Sequence, residues 1–154
     1  MTMDLYRDGM ARLEAGDAKE GRRLLEEALK KTPGSVEVMH GLARALDLEG
    51  NRGRALELME RAHALAPAEP EPAMDLAMTL MEWGEDARAE RVLKPALEAR
   101  PDHPRANLYM AMALAKTDAA RARAHAGKAR TDPDPDVRAQ AEVLELTLAE
   151  PTPD

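Results

Sequence analysis

The chain has 154 residues, 44% hydrophobic and 33% charged, with a net charge of −7, which suits one ordinary folded domain rather than a disordered segment. The absence of cysteine excludes a disulfide framework, a thiolate zinc site and a cysteine nucleophile, and fits a reducing compartment. The acidic balance, with no basic run anywhere, argues against nucleic acid as the main partner, because phosphate binding needs a basic face. With no phenylalanine, one tryptophan and two tyrosines, the core must be built from Leu, Ala, Val and Met, which favours helix packing over sheet.

The first predicted unit, residues 2–35, opens with "MTMDLYRDGMARLEAGD". That stretch has neither the apolar centre nor the cleavage pattern of a signal peptide, and no run in the chain approaches the ~18 apolar residues of a spanning helix. A cytoplasmic protein with no membrane insertion is expected. Apolar positions three or four apart predict a helix, a break at Gly16 and a second helix closed by Pro33. Residues 36–69 repeat the pattern 34 positions on. "GLARALDLEG" reads as a helix stopped by Gly50, since glycine takes the left-handed conformation cheaply. Residues 70–103 repeat it again, with Gly84 at the break.

Columns in register support this reading. Gly9, Ala43, Ala77 and Ala111 align, as do Gly21, Ala55 and Ala89, and Ala28, Ala62 and Ala96, each of the last three followed by a proline at Pro33, Pro67 or Pro101. Small residues let helix backbones approach, and the bulky columns beside them (Leu42, Leu76 and Met110; Leu25, Met59 and Leu93) fill the grooves. Residues 104–133 form a degenerate fourth hairpin that loses its turn glycine and carries Ala122, Ala126 and Ala129 about one residue out of phase. Pro95 falls inside the second helix of the third unit and is read as a tolerated kink, because Ala96 and Leu97 keep their register. A last helix is expected over 135–149, capped by Asp134 with Pro135 at its first position. It would cover the open end of the stack through Val137, Ala141, Leu144 and Leu148; a swapped or dimerising helix is the other reading. Residues 150–154 are expected to be a disordered tail.

No catalytic or metal constellation emerges. His40, His63, His103 and His125 show no ligand spacing. The single serine, Ser35, has no nucleophile-elbow sequence around it, and the glycines form no phosphate loop. No cofactor and no enzymatic activity are expected.

The 34-residue period, with its Gly, Ala and Pro columns in three copies, resembles the tetratricopeptide repeat. The resemblance implies an all-α fold: an α-solenoid of stacked antiparallel helical hairpins forming a right-handed superhelix, here with a C-terminal capping helix. It also implies that the first helices of the hairpins line a concave groove that holds a partner's segment. Helical periodicity then selects the inward side chains: Tyr6 and Met10 in the first copy, His40 and Arg44 in the second, Glu71, Met74, Asp75 and Met78 in the third, and Leu108, Tyr109 and Met112 in the fourth. Met3, Met81, Met10, Met74, Met78 and Met112 place six of the ten methionines on this surface. Methionine suits a surface that adapts to apolar side chains; the plainer reading is core filler. Glu37, Glu71 and Asp75 add acidity, with Arg44 beside them. The basic clamp by which some family members hold a C-terminal carboxylate is absent, since Tyr6, Met10, Gly41, Glu71 and Asp75 occupy the comparable positions. The expected function is a protein-interaction module that binds a short apolar, net basic segment of a partner protein. Alternatives are a chaperone shielding a hydrophobic secretion substrate, or a self-assembling scaffold and hence a homo-oligomer.

Overall fold

The computed structural model describes residues 1–149; the tail 150–154 lies outside the described residues. Those residues contain nine helices and no strand, so the fold is all-α and built from helical repeats. The chain divides into two compact units, one of residues 1–66 and one beginning at Pro67.

The first unit holds α1 (Thr2–Glu14), α2 (Ala18–Lys31), α3 (Val36–Leu48) and α4 (Arg52–Leu65). α1 packs against α2 and α3 against α4, and α2 also packs on α3. The turn glycines Gly16 and Gly50 have φ of 85° and 81°, the left-handed region where a Cβ is strained. Each lets the chain fold back so that the residue after it bonds the last helical turn: the Asp17 N–H donates to the Arg12 carbonyl and the Asn51 N–H to the Leu46 carbonyl, both at 2.8 Å. These are Schellman-type stops. The next helix is capped at once, by the side chains of Asp17 on Glu20 N–H and Asn51 on Arg54 N–H, while Ser35 caps α3. Such a cap is worth ~1 kcal/mol. The crossing of α1 and α2 is tight: a Cβ built on Gly9 would lie 2.8 Å from Leu25 Cγ, and one on Gly21 3.0 Å from the Gly9 carbonyl oxygen.

The second unit holds α5 (Pro70–Glu82), α6 (Asp86–Ala99), α7 (Pro104–Leu114), α8 (Ala119–Ala129) and α9 (Pro135–Thr147). α5 pairs with α6 through a turn at Gly84, φ 76°. α6 runs unbroken through Pro95, with Leu93, Ala96 and Leu97 buried around it. α7 and α8 close without a left-handed residue, the Asp118 N–H reaching the Leu114 carbonyl at 2.8 Å. Ala122, Ala126 and Ala129 are fully buried, so the slipped alanine spacing still places small residues at the helix crossing. Pro70, Pro104 and Pro135 each start a helix, where the missing N–H costs nothing. Asp134 caps α9 by accepting from the Asp136 N–H. α9 packs on α8 and α7, burying Val137 and Ala141 against Leu108 and Ala129, with Tyr109 and Leu144 alongside.

Candidate functional site

In the first unit, the face of α1 carries an open cavity of about 500 Å³ lined by Met3, Tyr6, Arg7, Met10, Ala11 and Glu14. Tyr6 and Met10 reach α3 only because position 41 is glycine: a Cβ there would stand 2.9 Å from Met10 Sδ and 3.5 Å from Tyr6 Cε2. Tyr6, Met10 and Gly41 are thus brought together at the α1–α3 contact. His40 is half-buried and Arg44 exposed on α3.

In the second unit, α5, α7 and α9 are neighbours, α7 touching both of the others. Met78 and Met112 are 40% and 39% exposed, and Glu71 is exposed. Tyr109 is half-buried, and burial, then the Asp75 carboxylate, push its phenol pKa up; Arg105 opposes this and Glu71 adds to it. The two carboxylates therefore sit close enough to be felt at the α7 surface. Arg105 does not neutralise them freely, because it binds Asp134 at 2.9 Å and Asp132 at 3.6 Å, tying α7 to the start of α9. Lys116 is likewise engaged by Asp86 at 3.5 Å.

Two expected groove residues are not open. Leu108 is 2% exposed and lies in the core beneath α9, packed with Val137 and Ala141. Met74 is 5% exposed, in the helix against which α7 packs. Both are apolar side chains that a neighbouring helix covers, so they serve as core filler.

In their place the structure supplies residues of α9. An open groove of about 360 Å³ is lined by Met112, Ala139, Gln140, Val143 and Leu144. Val143 and Leu146 stand 61% and 72% exposed. A signal for them exists in the sequence. Aligning the helix-starting prolines, Pro104 with Pro135, puts Ala139 at the place of Leu108 and Val143 at the place of Met112. α9 then continues the surface of α7 besides capping the stack.

A second unforeseen feature is polar and buried. Asn107, fully buried, donates both amide hydrogens, to the Pro101 carbonyl at 2.9 Å and the His103 carbonyl at 2.8 Å. Its Oδ1 faces His125 Nδ1 at 2.7 Å, so that nitrogen must carry a proton. Burial, then Lys128 and Arg121, lower the His125 pKa against the pull of Glu90. His103 Nδ1 accepts from the Ala106 N–H and caps α7. These two histidines are structural. Among the described residues no group of three His, Asp or Glu could hold a metal ion, and no helix is long and apolar enough to cross a membrane.

Residues 48–113 match the tetratricopeptide repeat family model. The chain is 29% identical over 98 residues to the mouse interferon-induced protein with tetratricopeptide repeats 3, covering 62% of this chain and 24% of that protein. It is 34% identical over 92 residues to a probable biofilm formation methyltransferase of Pseudomonas putida, covering 59% of this chain and 22% of that one. It thus spans under a quarter of the length of the curated relatives it matches. Among solved structures, Pseudomonas aeruginosa pilF superposes with a TM-score of 0.78 at 17% identity, covering 98% of this chain and 78% of that chain, a likeness of fold alone.

Proposed function

Because the chain belongs to the tetratricopeptide-repeat proteins, whose fold is a scaffold for protein–protein interaction, we propose that it binds a short apolar, net basic segment of a partner protein along α5, α7 and α9, in the cytoplasm. The observation that carries this reading is the open groove of Met112, Ala139 and Val143, with Met78 exposed on the same unit and Glu71 and Asp75 acting on Tyr109 close by. Apolar area removed from water stabilises a complex at roughly 25 cal/mol per Å², less the ordering costs. The carboxylates add steering and select against acidic segments. No catalytic role is proposed: the relatives that are enzymes extend far beyond the region this chain matches.

The test uses a fluorescent amphipathic peptide of alternating leucine and lysine turns. Met112→Glu with Val143→Glu should weaken its binding by about tenfold or more while helical content stays constant. Glu71→Lys should instead slow association and flatten its salt dependence. Affinity and rate unchanged in both variants would remove the groove as the site. Light scattering over a concentration series separates a self-assembling scaffold, whose mass would climb without peptide.

A further inference from the structure

A second open cleft of the first unit lies away from the α1 surface, between α2 and α4. On α2, Arg22, Glu26 and Lys30 are four residues apart and share one face. On α4, Arg54 and Arg61 are seven apart and share another. Together they line a cleft of about 580 Å³. Its charge runs against that of the chain: four cations to one carboxylate line it, in a protein of net charge −7.

The five charged groups fall into two sets. Arg22 is held by Glu26 at 3.1 Å and by Glu49 at 2.6 Å. Glu26 also takes Arg54 at 3.2 Å. These contacts fix two guanidinium groups in place, so little side-chain entropy remains to be lost when an anion arrives. Lys30 and Arg61 have no carboxylate partner among the described residues. They are exposed and add positive charge to the same opening. Between the two sets the floor is apolar, made by Leu29, Pro33 and the buried Leu42.

We propose that this α2–α4 cleft is a second docking site, which takes an acidic segment of a partner protein carrying aliphatic side chains between its carboxylates. The carboxylates meet Lys30 and Arg61, and the aliphatic groups cover Leu29 and Pro33. A nucleic acid fits less well. It needs cations spread along a backbone with no competing carboxylate, whereas Glu26 sits in the middle of this cleft and the floor has no stacking surface. The site is independent of the groove proposed above and prefers the opposite charge.

The full chain is titrated with a fluorescein-labelled peptide of about ten residues alternating glutamate and leucine. Saturable binding is expected, weakened about tenfold by Lys30→Glu with Arg61→Glu and strengthened as salt is lowered. An all-glutamate peptide should bind several-fold more weakly, and Met112→Glu with Val143→Glu should leave the affinity alone. If the charge-reversed chain loses helix, Lys30→Gln with Arg61→Gln reads the same contacts without reversal. Affinity within twofold between wild type and the charge variants overturns the proposal. So does an oligothymidylate of equal charge binding as tightly as the glutamate–leucine peptide, which would reveal unspecific attraction of polyanions.

Discussion

In residues 1–66 the first hairpin crosses on glycine, Gly9 against Gly21, and both hairpin turns use a left-handed glycine. Alanine takes the crossing positions in every later hairpin, Ala43 with Ala55 still within residues 1–66, then Ala77 with Ala89 and Ala111 with Ala122, all buried. The last hairpin turns without glycine at all. The charges diverge too. Eleven Lys and Arg face twelve Asp and Glu in residues 1–66, but eleven face seventeen in 67–154. A common period therefore specifies where helices meet and leaves open what holds them. The first unit relies on backbone closeness and ion pairs such as Arg22–Glu49. The second inserts a buried amide where its sister repeats carry Met39 and Ala73.

The largest expected effect breaks the comparison at that amide. Asn107→Ala leaves the Pro101 carbonyl and the His125 N–H without their partner, while the His103 carbonyl keeps the backbone N–H of residue 107; the loss should cost roughly 2–3 kcal/mol in urea unfolding. A change below about 0.5 kcal/mol would mean that water replaces the amide and the bridge is incidental.

Next come the turns. Gly50→Ala and Gly84→Ala should each cost about 1 kcal/mol, because both positions demand positive φ. Thr117→Ala, in the turn that lacks such a residue, should be close to neutral. Equal losses at all three would erase the distinction between the glycine turns and the last one.

The smallest effect is a pH dependence present in both units. Burial lowers the pKa of His63 in α4, as burial and neighbouring cations lower that of His125 in α8. A depressed folded-state pKa means that the unfolded chain binds the proton more readily. The stability from each histidine is therefore full above the ordinary histidine value of about 6.5 and is lost as pH falls below it. Thermal melts between about pH 7.5 and 5.5 should show this decline, and His63→Gln with His125→Gln should flatten it. An unchanged slope in the double variant would assign the decline to other groups.

Much of the architecture was legible because it depends on residues near one another in sequence. Gly16, Gly50 and Gly84 mark their turns by their own conformational freedom, and Asp134 with Pro135 marks the start of α9. The site was less legible because it depends on which faces meet. Leu108 and Met112 lie one turn apart on α7, and nothing local says that Val137 and Ala141 cover the first while the second stays open. The Asn107–His125 bond spans 18 residues, and Glu26–Arg54 spans 28. Such pairs need the packing of two helices before the partners can be named.

Helix length has one further consequence. A helix rises about 1.5 Å per residue, and α7 has 11 residues where α9 has 13. Counted from their leading prolines, α9 runs two residues longer than α7, roughly 3 Å of added rise. Thr147 and the 72% exposed Leu146 supply that added rise. Leu146 follows the 61% exposed Val143 by three residues, so the added length carries the open apolar face of α9 onward by most of a turn.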